Sequence, residues 1–292
     1  YAAMGVTGNR GWSASSLTPV NVSYVHGGYR YRSPFRDLSD ADYIRACADD
    51  LRDVIATTTA GDVACMIAEP IQGVGGFATP PDGLFGAMKE VLDEYGILFV
   101  SDEVQTGWGR TGEHFWGIQA HGVTPDAMTF AKGVGNGLAI GGVVARGDLM
   151  DAVTANSIST FGGNPLASRA ALATIHYLLS HDLQANAHKM GSRLRQGLDA
   201  VAERCDVVGE VRGKGLMIGI ELVRPGSTEP DPAAATWVQE ETRRGGLLIG
   251  KGGLYGNVLR VAPPLSVGEA EVDEALGILT AAITAVQKEA RG

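Results

Sequence analysis

Residues 97 to 104 read ILFVSDEV: four apolar residues run without alternation into a serine and two adjacent carboxylates. A half-exposed strand alternates apolar and polar positions, whereas a short unbroken apolar run is the pattern of a strand covered on both faces. Just upstream, PDGLFGAMKEVLDEYG (81–96) keeps its apolar residues at helical spacing and closes on Gly96. VACMIAEP (63–70), DAMTFAK (126–132) and AIGGVVAR (139–146) are three more runs of the same kind. Strands of this type separated by helices predict an α/β fold: a mostly parallel sheet with helices on both faces.

In such sheets ligands gather at the carboxyl ends of the strands. Glu69, Asp102 with Gln105, and Lys132 stand at those ends. Ser39 and Asp42 give a capping-box-like start to a helix whose apolar face is Ile44, Cys47, Ala48, Leu51, Val54 and Ile55. From NPLASRAALATIHYLL (164–179) a long helix leads away. Beyond it come a helix, DVVGEVRGKGLMIGIELV (206–223), a helix near 233–245, LRVAPPL (259–265) and a final helix. The expected division is a large unit, 1–183, and a smaller α+β unit, 184–292. Residues 1–38 show little periodicity and read as a long ordered loop. No Met opens the chain, and YAAMGVTGNRGW reads as the middle of a domain.

Net charge is −9 and the pI near 5.2, with no run of Lys or Arg, so a nucleic-acid partner is not expected. No apolar stretch reaches the roughly 18 residues of a membrane helix. Cys47, Cys65 and Cys205 are odd in number and lack C-x-x-C spacing, which argues against both a disulfide framework and a zinc site. A reduced, cytoplasmic chain is the expectation. The 41 glycines among 292 residues are about double the usual share, so the backbone often turns sharply or approaches something closely.

In an extended SDEV, Asp102 and Val104 share one face while Glu103 points to the other. The two carboxylates therefore do not jointly grip a metal ion, and the six histidines hold no H-x-H or H-x-x-x-H pair. A strand-end carboxylate such as Asp102 also serves simply to cap the next turn. Lys132 is followed by glycines at 133, 135 and 137, which leave room for a flat ring and its substituents. A free lysine is a weak nucleophile at neutral pH, and desolvation is what prepares one for imine chemistry. A lysine at one strand end and an aspartate at another are the minimum that pyridoxal phosphate requires: an amine for the aldehyde and an acid for the ring nitrogen.

AEPIQG (68–73), SDEVQTGWGRTG (101–112), FAKGVGNG (130–137), STFGGNP (159–165), VRGKGLMIGIE (211–221) and LRVAPPL together resemble the class III aminotransferases. These are fold-type I enzymes that use pyridoxal 5′-phosphate. The resemblance covers nearly the whole chain with the motifs in the family's order. It implies that Lys132 is the lysine that bonds the cofactor and moves the proton. Asp102 would pair with the pyridine nitrogen, Val104 stack on the ring, and Gln105 lie beside the ring oxygen. Thr160 resembles the threonine that crosses a homodimer interface to the neighbour's cofactor phosphate. Arg260 would bind the substrate α-carboxylate and Glu69 mask it in turn, although a salt bridge between the two units is an alternative for that pair.

The family's phosphate loop and stacking aromatic residue belong upstream of Tyr1, which implies a longer protein. The expected reaction is transfer of an amino group from alanine or a β- or ω-amino acid to glyoxylate or pyruvate by a ping-pong route. HFWGIQAHGVTPD (114–126) is most similar to the alanine–glyoxylate branch. Tyr24, Tyr29, Arg30 and Arg32 are further candidates for substrate contact. A decarboxylase or aminomutase of the same superfamily, or a non-catalytic dimer-forming scaffold, are the alternatives. A nucleotide site at GVGNG is disfavoured, since G-x-G-x-x-G and a ribose-binding acid are missing.

Overall fold

The computed structural model describes residues 2–9 and 20–291. The stretch 10–19 of the expected N-terminal loop lies outside the described residues. Of the rest of that stretch, Ala2–Val6 forms a short helix α1, and a single 3-10 turn follows at Arg30–Arg32. The chain then runs α2 (Asp40–Thr58), β1 (Cys65–Ala68), α3 (Leu84–Glu94), β2 (Leu98–Asp102), β3 (Ala127–Phe130), β4 (Gly142–Ala145) and α4 (Gly147–Asp151). After α5 (Pro165–Ser180) come α6 (Leu183–Ala202), β5 (Val208–Lys214), β6 (Met217–Leu222), α7 (Pro232–Arg244), β7 (Gly250–Gly252), β8 (Val258–Val261) and α8 (Glu269–Arg291). Among the described residues, no helix is long and apolar enough to cross a membrane.

The first sheet has the order β1-β2-β3-β4. Strands β1, β2 and β3 are parallel, with Ile67 opposite Val100 and Asp102 opposite Thr129. Helix α2 starts where the sequence predicts, because Ser39 Oγ accepts the Asp42 N–H at 3.2 Å and satisfies one orphan donor of the first turn. Its Tyr43, Cys47, Leu51 and Ile55 pack with Leu84, Met88 and Leu92 of α3 against Phe99 of β2. Phe99 and Ser101 point into that layer and are buried.

Two features differ from the sequence pattern. Strand β4 returns antiparallel to β3. A parallel return needs a crossover of about a dozen residues or more, usually a helix, and the glycine-rich link 131–141 contains only one 3-10 turn. Among the described residues, α2 and α3 pack against one face of the sheet. On the other, Ile67 of β1 and Val143 of β4 remain 48% and 51% exposed, so those apolar strands are half open.

The second sheet, β5-β6-β8-β7, is antiparallel throughout. Leu194 and Leu198 of α6, Val238 of α7 and Ile283 of α8 pack with Ile218, Ile220 and Leu259 to form its core. The two sheets meet along a seam. Leu216 N–H donates to the Arg110 carbonyl at 3.1 Å, and the Arg110 guanidinium donates back to the Leu216 carbonyl at 3.2 Å. Arg212 Nε donates to the Gly76 carbonyl at 3.0 Å, and Lys214 reaches Asp82 and Glu113 at 2.8 and 3.0 Å. Ile71 and Phe77 pack on Met217 across the same seam.

Candidate active site

Strand β3 ends at Phe130, and two residues later Lys132 adopts φ 49°, in the left-handed region. For a residue with a Cβ this backbone is strained and persists only where the surroundings over-determine it. The non-glycine residues with positive φ among those described are Phe77, Trp108, Lys132, Asn136 and Asp182. The first four line one cavity of about 760 Å³, and Leu183, next to Asp182, lines it too. Backbone strain is therefore concentrated around one space. Val104 and Gln105 share this wall with Lys132. Lys132 itself is exposed rather than desolvated.

The charged residues lining the cavity are Lys132 and Arg110, and no carboxylate is among the described residues of its wall. Burial alone pushes the Arg110 guanidinium down to about 10, with no acid offsetting it. Its hydrogen bonds run to the carbonyls of Leu216 and Pro263. Trp108 Nε1, a buried donor on the same wall, has no partner. Apolar surface from Leu138, Ala170, Ala173 and Met217 completes the lining. Such a wall, rich in donors and poor in acids, suits an anionic ring.

Asp102 ends β2 half-buried, beside Thr129 of β3 and hence near the start of the Lys132 turn. Its Oδ1 accepts the Val104 N–H at 3.0 Å, so it does cap the turn that follows. It is not among the cavity-lining residues, yet its charge acts on Glu69 together with those of Lys132 and Arg260. Glu103 points the other way and is wholly buried. It accepts from Thr106 Oγ1 at 2.5 Å, Ile118 N–H at 2.7 Å and Gly117 N–H at 2.8 Å. Burial raises the pKa of its carboxyl and these bonds oppose the rise. Glu103 thereby fixes the backbone from which Val104 and Gln105 project.

Glu69 and Arg260 meet through a third residue. Gly73 N–H donates to Glu69 Oε2 at 2.8 Å, and the Gly73 carbonyl accepts from Arg260 Nη1 at 3.2 Å. Among the described residues no direct ion pair joins the two, so the salt-bridge alternative does not hold in this form. Burial raises the Glu69 pKa, with Asp102 adding to the rise and Lys132 and Arg260 opposing it. Burial also lowers the Arg260 pKa, against the pull of Glu69. Arg260 lies 5.6 Å above the Phe77 ring on the cavity wall, and its Nε is buried without a partner.

Thr160 stands apart. It lies in a turn of the wholly exposed run 151–163 and does not line the cavity. The N-terminal candidates are engaged elsewhere. Tyr24 donates to the Thr7 carbonyl, Arg30 binds the Leu38 carbonyl and Asp40, and Tyr29 and Arg32 both bind Glu221 of β6. Sequence reasoning missed Gly73, Trp108 and Arg110 as parts of the site. The sequence signal open to it was their place inside AEPIQG and DEVQTGWGRTG, between residues already singled out.

The sequence profile of the class III aminotransferases matches residues 1–283. The chain is 39% identical over 274 residues to alanine–glyoxylate aminotransferase 2 homolog 2, mitochondrial, of Arabidopsis thaliana, covering 93% of this chain and 56% of that protein. It is 40% identical over 222 residues to an alanine/serine racemase of Pyrococcus horikoshii, covering 76% of this chain and 46% of that one. Among solved structures it superposes on a PLP-bound amine transaminase from an uncultivated Pseudomonas species with a TM-score of 0.89 at 33% identity, covering 97% of this chain and 66% of that one. The chain thus spans about half the length of the curated relatives it matches. With six motifs in order, a fold-type I sheet and a strained lysine at its strand end, the chain belongs to the class III aminotransferases.

Proposed function

We propose that this chain carries the chemistry of a pyridoxal-phosphate-dependent transaminase, moving an amino group from alanine or a β- or ω-amino acid to glyoxylate or pyruvate. The observation that carries the reading is Lys132, held in a left-handed conformation at a β-strand end on a cavity wall shared with Val104 and Gln105. The cavity's fit to the cofactor supports it: about 760 Å³, Lys132 and Arg110 on its wall, and a buried Trp108 donor without a partner among the described residues.

When bound, pyridoxal phosphate supplies a protonated ring that takes up the electron pair left on the substrate carbon after proton loss. Lys132 would hold the cofactor through Nζ, and the same Nζ would carry the proton taken from the donor Cα. The Asp102 carboxylate keeps the ring nitrogen protonated. Val104 would offer the ring an apolar face, and Gln105 would supply a donor for its oxygen. Arg260 binds the substrate α-carboxylate with its planar fork, and Glu69 takes that charge when the other substrate carries none there. The keto product leaves before the acceptor binds.

Thr160 serves the cofactor phosphate of a second copy in a homodimer. That part of the reading is supported by the exposure of its apolar neighbours, Ile158 at 88% and Phe161 at 82%. A cytoplasmic setting is supported by the three unpaired cysteines. The division into a cofactor unit, 1–183, and a small unit, 184–292, is supported by the two separate sheets.

The experiment is a matrix of amino donors against keto acceptors, following the visible band of the cofactor on mixing with each donor. Lys132→Ala is expected to abolish both turnover and the lysine-bound band, and retained turnover would sink the assignment. A second reading, amino-acid racemisation, is favoured by the 40% identity to the Pyrococcus racemase. It is distinguished by inversion of a single enantiomer in the absence of any acceptor.

A further inference from the structure

Gly73 is buried, and a Cβ built on it would lie 2.1 Å from Gln105 Nε2, 2.2 Å from its Cδ and 2.5 Å from its Oε1. The Gln105 amide therefore occupies the space that any side chain at 73 would need. The backbone does not require glycine here, because Gly73 is not among the positive-φ residues. The atoms in the way are the far end of a flexible side chain, so a Cβ here would displace the Gln105 amide rather than the backbone. The same glycine gives its N–H to Glu69 and its carbonyl to Arg260, a carbonyl that also accepts from Gly76 N–H at 3.2 Å. One residue thus touches the cavity-lining amide on one side and both members of the charged pair on the others.

We propose that Gly73 is a positioning residue: its bare Cα seats the Gln105 amide while its peptide groups hold Glu69 and Arg260, so that the three side chains keep one register. The proposal rests on the reading of the cavity as a pyridoxal-phosphate site for its effect on the cofactor, but the seat itself exists without cofactor. A shift of Gln105 off Gly73 moves the donor facing the ring. A shift of the 73 peptide moves the carboxylate and the guanidinium together.

The test is a double-mutant cycle with Gly73→Ala, Gln105→Ala and both together. It is read in the thermal midpoint without cofactor and in the affinity and visible band of added pyridoxal phosphate. Gly73→Ala alone is expected to lower the midpoint, to shift the band and to weaken cofactor binding about tenfold. In the Gln105→Ala background, where the seat is already empty, the same substitution is expected to change affinity less than about twofold. If Gly73→Ala fails to fold, the double variant must recover folding. Equal effects of Gly73→Ala in both backgrounds, or no recovery, overturn the proposal. If the wild-type protein takes up no pyridoxal phosphate, the functional reading fails, and the cycle in thermal midpoint still decides the seat.

Discussion

Tyr29 donates its hydroxyl hydrogen to Glu221 Oε2 over 2.6 Å, across 192 positions of sequence. Arg32 Nε reaches the other carboxylate oxygen at 2.7 Å, and Arg212 Nη1 lies 2.6 Å from the first. The carboxylate is fully buried, so it depends on these partners. Glu221→Ala leaves two guanidinium groups without their shared anion and is expected to cost about 3–5 kcal/mol. Tyr29→Phe removes one charge-assisted bond and is expected to cost about 1.5–3 kcal/mol. Urea unfolding checks both, and an unmoved midpoint for Glu221→Ala would show that the cluster holds nothing together.

His121 is buried against Phe85, with ring centroids 4.8 Å apart, and its Nδ1 has no partner. Burial depresses its pKa from 6.5 to about 4, with Lys214 and His114 adding to the fall and Asp82 opposing it. Below pH 6.5 the unfolded chain takes up a proton that the folded chain refuses, so stability falls as pH drops from 6.5 toward 4. The loss amounts to about 3 kcal/mol at most. His121→Gln should flatten that part of the stability–pH curve while leaving the plateau above pH 7 in place, as measured by denaturant titration at several pH values.

Glu103→Gln replaces one acceptor oxygen with a donor, which then faces either the Gly117 N–H or the Ile118 N–H, since these donate to different oxygens of Glu103. An unsatisfied buried donor costs about 1–3 kcal/mol, so a loss of that size in unfolding free energy is expected. Faster amide exchange at 104–106 is expected alongside it, because the carboxylate holds that turn. Unchanged exchange there would separate Glu103 from the cavity wall.

Lys132→Gly removes the left-handed strain of a side-chain-bearing residue. Set against glycine's greater freedom in the unfolded chain, the gain is up to about 1 kcal/mol. The variant is expected to melt no lower than wild type while losing the lysine-bound cofactor band. A clear fall in melting point would mean that the Lys132 side chain supports the fold.

The legible parts of this molecule were those governed by local chemistry. The apolar run before Ser101 specifies β2, Ser39 with Asp42 starts α2, and Lys132 and Gln105, just past two strand ends, reach the cavity wall. Tyr43, fully buried in α2, escaped the apolar pattern because a phenol counts as polar; its hydroxyl donates to the Gly27 carbonyl at 2.5 Å, which lets the ring enter the core. The direction of β4 depends on how far its link can reach, not on its composition. The open face at Ile67 depends on which elements arrive to cover it. Thr160 lies away from the cavity, and no local pattern fixes that distance. Gly73 matters through what folds over it, and a glycine carries no label for its neighbour.

Asp102 ends β2 and Lys132 follows the adjacent parallel strand β3 by two residues, whereas Arg260 lies on β8 of the other sheet and donates to the Gly73 carbonyl in the loop after β1. A rocking motion between the sheets would therefore stretch the Arg260–Gly73 contact and leave the spacing of Asp102 and Lys132 untouched. The reach of the guanidinium and the spacing of the acid and the amine are thus mechanically decoupled, and drift in one need not erode the other.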